Sequence, residues 1–449
     1  MAKRVIIIGA GLAGCLLAIY LGRAGWEVDL RERRGDPRER GHVAGRSINL
    51  AISARGLKAL RRAGLEEAIL QDAIRMPGRM IHSRTGELVF QNYSRDPAHA
   101  IQSISRSMLN LILLNAAAAQ ASVRVTFHQR CAALNAMCSS VSFVDDRTGI
   151  ETTATTDLIV GADGAFSAIR GIMYKNEGFD YDQRWLSHGY KEMCIPPVVS
   201  GAHAPFAMNP NALHIWPRGG SMMIALPNPD GSFTCTLFWP QKSSEAQGNG
   251  FDVIRDATTA RAHFVREYPD ALALMPTFDA DFTTNPVGSM VTVRCNPWSM
   301  HGRAVLIGDA AHAIVPFFGQ GANASFEDCE ALADALAAHG DTSRAITAYE
   351  GARKRNSDAI ADMALNNFIE MRDKTASSLF RMKKKLEHFL NGIAPSLFIP
   401  RYDMVSFSTI PYADALERSR TQERVLIALS VAVPIAVIAI ALLAWKIAW

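Results

Sequence analysis

The chain has 449 residues, 49% of them hydrophobic, and its 47 basic and 43 acidic residues leave a formal net charge of only +4. This length and apolar content predict a large core divided among two or three domains, and the scattered basic residues exclude the concentrated positive face of a nucleic-acid-binding protein. The seven cysteines include no CxxC pair, so we expect reduced thiols facing the cytosol, no disulfide framework and no metal site.

The first elements are typical of a βαβ unit. An apolar run predicts a buried strand over Lys3–Gly9, and helical spacing follows over Leu12–Arg23 before a second strand over Glu27–Arg31. Glycines interrupt the N-terminal apolar run and no cleavage pattern follows it, so no signal peptide is expected. The arginine-rich run from Arg31 to Arg46 also contains acidic residues, which indicates a solvated or ligand-covering loop.

The turn between the first strand and the first helix, GAGLAG, has the GxGxxG spacing. Gly9 permits a tight turn, Gly11 lets the backbone approach a pyrophosphate, and Gly14 lets the helix pack on the strand, with the phosphates at the helix N-terminus. Glycines that only punctuate a turn are the simpler interpretation. However, Glu32 ends the second strand close to the distance expected for a ribose partner, so the pattern predicts a dinucleotide site without distinguishing NAD from FAD.

The middle of the chain mixes helical and strand patterns and then becomes strand-rich. Helical spacing predicts helices over 57–70 and 107–120. The strand-like runs before residue 182 lie at 79–90 around the turn SRTG, at 123–128, at 140–144 and at 152–160. Those after it lie at 188–193, 214–216, 222–226 and 234–238, with one helix near 252–267. The region from about 183 to 293 therefore predicts a second domain with an antiparallel sheet.

Two later strands also end in turns built from glycine and aspartate. The first, in LIVGADGAFSAIR (158–170), is explained equally well by an aspartate that caps a helix. The second, in AVLIGDAAHAIVPFFGQGANASFED (304–328), precedes predicted helices at 322–339 and 343–372. Asp309 is suited to accept a hydrogen bond from a sugar-alcohol hydroxyl, and the backbone N–H groups of 321–323 are suited to an electron-rich ring edge at a helix N-terminus.

The C-terminal part combines a helical region with a long apolar segment. Residues 376–391 continue the helical pattern, and 425–445 (VLIALSVAVPIAVIAIALLAW) contain no charge over 21 residues. Arginines precede this segment, and Trp445 and Trp449 lie where an interfacial aromatic belt would be. A buried core helix is the alternative, but its length matches the hydrocarbon core of a bilayer, so we predict a transmembrane anchor.

The order of these motifs resembles the single-component FAD aromatic hydroxylases of the p-hydroxybenzoate hydroxylase class. In that class an extended FAD needs two cradles: an N-terminal turn for the ADP pyrophosphate and a late Gly-Asp segment for the ribityl chain and flavin ring. The stretches GRSINLAIS (45–53), RMIHS (79–83), SISR (103–106), HIWPR (214–218), MMIALPN, FTCTLF, GDAAHAIVPFFGQG (308–321), NFIEMR (367–372) and FIP-Y-M (398–404) resemble the kynurenine 3-monooxygenase family more closely. The similarity covers nearly the whole chain.

The resemblance implies the fold, the cofactors and the reaction. The expected fold is α/β with α+β elements: an FAD-binding βαβ domain interleaved with an antiparallel-sheet substrate domain, a C-terminal helical region and one transmembrane helix. The expected segments are 1–182 (FAD, with inserted strands near 79–104 at the substrate site), 183–295 (substrate), 296–372 (FAD), 373–424 (helical) and 425–445 (anchor). The expected reaction converts L-kynurenine to 3-hydroxykynurenine with NADPH and O₂ through a flavin C4a-hydroperoxide. Because the flavin carries out the chemistry, no side chain is assigned as a catalytic acid or base.

The resemblance also assigns site residues. The positions implied for FAD are Gly9, Gly11, Leu12, Gly14, Glu32, Arg34, Ala51, Arg106, Cys131, Asp309, Gly321, Ala322 and Asn323. Those implied for the substrate are Arg79, Tyr93, Asn367, Tyr402, Glu370 and Phe318. Without the family, Arg79 and Arg106 would be interpreted as surface charges and Phe318 as general core. His214 and His312 have no metal-ligand spacing and are expected to be structural or to line the pocket.

Some positions depart from the family pattern, and other functions remain open. Ala322 and Ser325 stand where Met and Gly are commoner, and Asn366 and Phe368 stand where tyrosines are commoner, which affects contacts at the ring edge. One alternative function is another aromatic hydroxylase, or a flavin reductase acting on a lipophilic quinone. A second is a membrane-tethered flavin sensor without turnover. The expected location is a membrane, with the catalytic body facing the cytosol: the mitochondrial outer membrane in a eukaryote, or the inner membrane in a bacterium.

Overall fold

The computed structural model describes residues 3–39, 49–135, 137, 139–243, 248–374, 391–395, 397–426 and 428. The strands are β1 (Arg4–Ile8), β2 (Glu27–Arg31), β3 (Asn49–Ile52), β4 (Ile74–Met76), β5 (Gly78–His82), β6 (Leu88–Asn92), β7 (Ile101–Ser105), β8 (Val123–Thr126), β9 (Gln129–Asn135), β10 (Ser140–Asp145), β11 (Glu151–Thr155), β12 (Leu158–Gly161), β13 (Asp180–Ile195), β14 (Ala212–Pro217), β15 (Met222–Pro227), β16 (Phe233–Pro240), β17 (Gly288–Asn296), β18 (Ser299–Met300) and β19 (Ala304–Leu306).

The helices connect and cover these strands. The α-helices are α1 (Leu12–Arg23), α2 (Ala54–Arg62), α3 (Glu66–Gln71), α4 (Arg106–Ala118), α5 (Ala168–Met173), α6 (Ala257–Glu267), α7 (Pro269–Leu272), α8 (Phe278–Thr284), α9 (Asp309–His312), α10 (Gly321–Ala338), α11 (Thr342–Ile369), α12 (Arg401–Ser406) and α13 (412–426). A 3₁₀ turn spans Pro316–Phe318, and a π-helical turn spans Glu370–Lys374.

The first large sheet has six strands in the order β18-β19-β12-β1-β2-β8. Every pairing is parallel except that of β18 with β19. Its central strands are apolar on both faces, as expected when helices cover both sides of a parallel sheet, and α1, α4 and α10 contribute to the same core. The carboxyl ends of β1, β12 and β19 lie together because these strands are parallel neighbours, and all three predicted glycine turns begin there.

The second large sheet has seven strands in the order β17-β13-β16-β15-β14-β5-β6. Only the β14–β5 pairing is parallel. One face packs on α6, α7 and α8 through Trp239, Phe264 and Phe278. The other face, including Ile215 and Phe238, packs against the 316–318 turn and the later helices. The sheet therefore forms a wall beside the late glycine segment. Of the strands expected near 79–104, β5 and β6 join this wall, whereas β7 belongs to a three-stranded sheet with β3 and β4.

Several sequence-based expectations need correction. The helix expected over 57–70 is two helices, because Gly64 adopts a φ of +68° between α2 and α3. The strand expected over 152–160 is also two strands, β11 and β12, which belong to different sheets. The strands β9 and β17 and the helices α7 and α8 were not predicted. The segment boundaries at 182, 295 and 372 stay a prediction.

The C-terminal predictions fall mostly outside the described residues. The predicted helix at 376–391 lies outside them except for its last residue, and the predicted span at 425–445 lies outside them except for residues 425, 426 and 428. Within the described ranges, no helix combines the length and the apolar character needed to cross a bilayer.

Candidate active site

The N-terminal glycine turn is shaped by close backbone contacts. Gly9 has a φ of +106°, and a Cβ atom there would lie 2.5 Å from the carbonyl oxygen of Ala162. A Cβ atom on Gly14 would lie 1.9 Å from the carbonyl oxygen of Gly9, so α1 packs directly on the strand end. A Cβ atom on Gly11, by contrast, would meet no protein atom within 4 Å. The turn is thus closed on its protein side and open at Gly11, where the pyrophosphate of a dinucleotide would approach.

Glu32 lies beside this turn, at the end of β2. Its Oε2 accepts a hydrogen bond from the backbone N–H of Ala10 at 3.0 Å, and its Oε1 accepts one from the N–H of Arg34 at 2.9 Å. Leu12 begins α1 and is partly buried against the core of the first sheet. The Arg34 side chain is exposed. The structure therefore brings Glu32 next to the glycine turn, where a ribose attached to the pyrophosphate would extend.

The middle Asp-Gly turn faces Cys131. The carboxylate of Asp163 accepts hydrogen bonds through Oδ2 from the N–H groups of Ala168 and Ile169, at 2.7 and 3.3 Å. Its Oδ1 is buried, has no partner among the described residues, and burial raises the pKa of the carboxyl. Burial, and then the charge of Asp163, raises the pKa of the Cys131 thiol to about 12. The thiol therefore stays protonated and unreactive at neutral pH.

The second cradle begins where β19 ends. Gly308 has a φ of +58°, and Asp309 opens α9 directly after it. The backbone N–H of Gly308 donates to Oδ2 of Asp328 at 2.9 Å, which fixes the turn against α10. Gly321 and Ala322 form the start of α10, whose first N–H groups have no partner within the helix and favour electron-rich groups.

Asn323 ties the second cradle to β3. Its Oδ1 accepts from the N–H of Ser53 at 3.0 Å, and its Nδ2 donates to the carbonyl oxygens of Ala51 and Gly319 at 2.9 and 2.7 Å. The side chain is fully buried and its amide is fully used. Asn323 thus holds the loop in place with its side chain, which leaves its backbone as the part able to contact a ligand. Ala51 lies against the same loop, since a Cβ atom on Gly319 would come within 2.9 Å of the Ala51 methyl group.

A buried ionic network that the sequence did not predict supports this loop. Asp328 accepts from Nε2 of His312 at 2.5 Å and from Nε of Arg353 at 2.7 Å, and Glu327 bridges Arg353 and Arg55. Burial opposes ionisation of Asp328, but the charges of His312 and Arg353 hold its pKa below its usual value. His312 is therefore structural, in agreement with its interpretation from the sequence.

Arg55 extends the network to the C-terminal segment. Its guanidinium donates to the carbonyl oxygens of Val405 at 2.9 Å and Met404 at 3.1 Å, and to that of Ile410. It also lies 4.0 Å from the ring centroid of Tyr412. The side chain is 1% exposed. The helix α12 is therefore fastened at its C-terminal end to the same network that holds the Gly308 turn.

The predicted substrate residues meet in an aromatic stack. The ring of Tyr402 lies 4.5 Å from that of Tyr93, at an interplanar angle of 9°, and 5.6 Å from that of Phe318, at 17°. Burial raises the pKa of the phenol groups of Tyr93 and Tyr402, and the charge of Arg79 lowers both. Its Nε donates to Oε1 of Gln91 at 2.8 Å. Four residues from distant parts of the chain thus come together beside the second cradle.

The remaining predicted residues lie around this group. Asn367, on α11, donates through Nδ2 to the carbonyl oxygen of Phe317 at 2.6 Å, which places it over the 316–318 turn. Glu370 begins the π-helical turn that follows and is half-buried. Arg106 is exposed at the start of α4, and its charge lowers the pKa of Tyr190 on β13, which burial raises.

Comparison with known proteins places the chain in a family. The model of the FAD binding domain family matches residues 2–364. The kynurenine 3-monooxygenase of Stenotrophomonas maltophilia (strain K279a) is 46% identical over 427 residues, which cover 95% of this chain and 92% of that protein. The enzyme of the same name from Xanthomonas campestris pv. campestris (strain 8004) is 46% identical over 95% of this chain and 91% of its own. The chain belongs to the kynurenine 3-monooxygenase family. The family predicted from the sequence motifs is thereby confirmed.

Solved structures agree with the fold of this family. The tetrameric form of 2-methyl-3-hydroxypyridine-5-carboxylic acid oxygenase has a TM-score of 0.66 at 22% identity, covering 83% of this chain and 94% of that one. Pseudomonas aeruginosa PqsL in complex with 2-aminobenzoylacetate has a TM-score of 0.65 at 22% identity, covering 83% and 97%. At such identities the likeness shows the fold alone, a mixed α/β FAD-binding fold.

Proposed function

We propose that this protein is an FAD-dependent monooxygenase that hydroxylates L-kynurenine to 3-hydroxykynurenine with NADPH and O₂. The observation that carries the proposal is the stack of Phe318, Tyr402 and Tyr93 with Arg79 at its side. It joins a flat apolar surface on the late glycine loop to a group that recognises a carboxylate. A substrate that consists of an aromatic ring and an α-amino acid group would need both the apolar surface and the carboxylate-binding group. Family membership supports the same substrate.

The residues present fit an extended FAD. The open face at Gly11 suits the pyrophosphate, the carboxylate of Glu32 suits a ribose hydroxyl, and Asp309 with the start of α10 suits the ribityl chain and flavin ring. Ala51, Arg106 and Cys131 would complete the contacts along the cofactor. Bound there, FAD would supply the oxidation chemistry, passing electrons from NADPH to O₂ so that one oxygen atom enters the substrate ring and the other leaves as water.

The chain's own residues bind and orient the substrate. A guanidinium offers paired donors to a carboxylate, so Arg79 would bind the substrate carboxylate, with the hydroxyl groups of Tyr93 and Tyr402 adding hydrogen bonds. The buried hydroxyl group of Tyr93 interacts with the hydroxyl group of Tyr402 and with the charge of Arg79, which supports a shared role of the three side chains in binding a carboxylate. Asn367 would add a further bond, and Glu370 would meet the amino group.

The apolar surroundings exclude water from the substrate ring. Phe317 and Phe318 are 7% and 6% exposed, and the ring of Phe317 stacks on that of Phe368 at 4.2 Å. These rings pack against Phe238 of the second sheet. A dry site matters here because water would divert the oxygen chemistry to hydrogen peroxide.

The test of the function is NADPH oxidation by the purified, yellow holoprotein with and without L-kynurenine, with analysis of the product. We expect oxidation to accelerate with kynurenine and 3-hydroxykynurenine to accumulate. As a control, 2′-aminoacetophenone presents the same ring without the amino acid group and should not accelerate it. A colourless protein that takes up no FAD, or oxidation that is insensitive to kynurenine, would contradict the proposal.

We also propose that residues 425–445 anchor the protein in a membrane, with the catalytic body in the cytosol. The support is the 21-residue sequence without a charge, which follows Arg418, Arg420 and Arg424. The two relatives named above are bacterial, which favours the inner membrane over the mitochondrial outer membrane.

The test of the anchor is truncation after Arg424. We expect the full chain in the membrane fraction of lysed cells and the truncated chain in the supernatant, because an apolar segment of this length without a charge favours the hydrocarbon core of a bilayer. The control is a full chain with Leu429→Arg and Ile435→Arg, which keeps the length and adds two charges to the span. Sedimentation of the truncated chain with membranes would show that the anchor lies elsewhere.

A further inference from the structure

Two consecutive pairs of residues join the end of β6 to the first turn of α12. The first pair is the stack of Tyr93 on Tyr402 described above. The second pair follows one residue later in each segment: the hydroxyl group of Ser94 donates to Oδ2 of Asp403 at 3.0 Å. A movement of α12 that breaks the second pair must also shift Tyr402 relative to Tyr93, because the residues are adjacent in both segments.

Ser94 is itself held by the loop that follows β6. Its oxygen accepts from the backbone N–H of Asp96 at 3.3 Å and lies 3.0 Å from Nδ1 of His99. The His99 ring stacks on Phe407, just beyond α12, with centroids 4.6 Å apart. The loop from Ser94 to His99 thus contacts both ends of the helix that carries Tyr402. At its C-terminal end α12 is also held by Arg55.

The environment of the Asp403 carboxyl group disfavours its ionised form, unlike that of a carboxylate in a stabilising ion pair. Its Oδ1 is buried and has no hydrogen-bond partner in the part of the chain that the structure describes. Burial raises the pKa of the carboxyl to about 6, while the bond from Ser94 and the charge of His99 lower it and the charge of Asp96 raises it. An ionised carboxylate in such a place destabilises the folded state at neutral pH, so stability does not explain it.

We propose that Asp403 is a positioning residue for substrate recognition: bonded through Ser94, its carboxylate fixes the first turn of α12 so that Tyr402 keeps its place beside Tyr93 and Arg79. This inference rests on the proposed function. The bond from Ser94 is charge-assisted when Asp403 is ionised and becomes an ordinary, weaker bond when it is protonated. Substrate recognition is therefore best above the pKa of Asp403 and weakens as the pH falls through about 6.

The sign of the effect on stability is opposite. Since the pKa of Asp403 is raised in the folded protein, the folded state binds the proton more tightly than the unfolded chain does. Protonation near pH 6 therefore stabilises the fold, and a neutral amide at this position removes a cost that is present at pH 7.5. If Asp403 served only to stabilise the fold, protonation near pH 6 and the neutral amide would both lower the stability.

The test compares holoproteins of the wild type, Asp403→Asn and Ser94→Ala in kynurenine-dependent NADPH oxidation between pH 5.5 and 8. At pH 7.5 we expect Asp403→Asn to raise the KM for kynurenine about fivefold with kcat nearly unchanged, because a charge-assisted bond becomes a neutral one. The rise in KM that the wild type shows toward pH 5.5 should be absent in Asp403→Asn. Its Tm at pH 7.5 should equal or exceed that of the wild type.

Ser94→Ala gives a second, independent readout. It removes the bond through which Asp403 would act, so it should raise KM at pH 7.5 about as much as Asp403→Asn does and should likewise abolish the acid-side rise in KM. The matched control is Asp414→Asn, an exposed acid on α13 in the same C-terminal region, which should change neither KM nor its pH dependence.

The outcomes separate this inference from the proposed function. If the wild type shows no kynurenine-dependent turnover, the proposed function fails. If the wild type turns over and Asp403→Asn leaves KM and its pH dependence unchanged, the positioning role fails. A lower Tm with unchanged KM would show a purely structural residue. If Asp403→Asn does not fold with flavin, Ser94→Ala decides: a KM and a pH dependence of KM like those of the wild type overturn the proposal.

Discussion

The proposed flavin cradles and the proposed substrate pocket of this protein are built in different ways. The cradles consist mainly of backbone: their turns lie at the ends of neighbouring parallel strands, and close contacts leave no space for a Cβ atom at Gly9, Gly14 or Gly308. The pocket consists of side chains from β5, the end of β6, the 316–318 turn, α11 and α12. A cradle therefore depends on shape, whereas a pocket depends on charge and hydrogen bonding. Substitutions in a cradle should reduce stability and FAD binding, and substitutions in the pocket should raise the KM for kynurenine.

The largest effect is expected for Gly14→Ala. Its added methyl group would lie 1.9 Å from the carbonyl oxygen of Gly9, and neither backbone can move without displacing β1 or α1. We expect the free energy of unfolding to fall by about 3 kcal/mol and the purified protein to be without FAD. The measurements are the flavin-to-protein absorbance ratio and the midpoint of urea unfolding.

Gly11→Ala is the matched control for this prediction. Its methyl group would meet no protein atom within 4 Å and its φ of −79° suits any residue, so the apoprotein should unfold like the wild type. The methyl group would, however, stand where the pyrophosphate is expected and should weaken FAD binding. Equal unfolding of both variants would show that Gly14 is not a packing glycine.

The next effect is expected in the pocket. Arg79→Ala should leave FAD bound and the Tm nearly unchanged, but raise the KM for kynurenine roughly 100-fold, which corresponds to the loss of about 3 kcal/mol of charge-assisted hydrogen bonding. Steady-state kinetics on the yellow protein provide the measurement. Arg79→Lys keeps the charge without the paired donors and should recover only part of the affinity. Unchanged saturation by kynurenine would remove Arg79 from the site.

This contrast also explains what the sequence could predict. The glycine turns are local patterns, so the sequence alone could predict the turn at Gly9–Gly14, and the bounds of α1 and β2 were predicted to the residue. The partners of a buried charge are set by packing instead. His312 was expected to be structural, but nothing in the sequence connected it with Asp328 on another helix or with Arg353 beyond it. The pocket residues were found only through resemblance to a family, since no spacing relates residue 79 to residue 402.

The same limit applied to the residues beside the pocket. Asp403 and Ser94 each follow a tyrosine that the family resemblance assigned to the substrate, yet neither has a pattern of its own. Arg55 lies in a helix with two further arginines, and only its burial among three carbonyl oxygens distinguishes it. Gly64 lay within an amphipathic pattern that fitted one helix, and its left-handed backbone makes two.

The smallest effect is expected at Phe318, where the two regions meet. Phe318 belongs to the loop between the Gly308 turn and α10, and its ring stacks on Tyr402 of the pocket. Phe318→Leu keeps an apolar side chain but loses the stack, which is worth about 1 kcal/mol, so KM should rise only about fivefold. The smaller side chain would also admit water beside the substrate ring, so we expect a larger share of the NADPH consumed to yield hydrogen peroxide rather than hydroxylated product.

The measurement is the ratio of 3-hydroxykynurenine to NADPH consumed, with peroxide determined in the same samples. Phe166→Leu, an exposed phenylalanine elsewhere on the surface, is the control for a loss of one aromatic ring. If Phe318→Leu raises KM while the ratio stays at the wild-type value, Phe318 belongs to the pocket alone. If the ratio falls while KM is unchanged, it serves only to keep water from the flavin side. A change in both would show that one ring links the backbone-built cradle to the side-chain-built pocket.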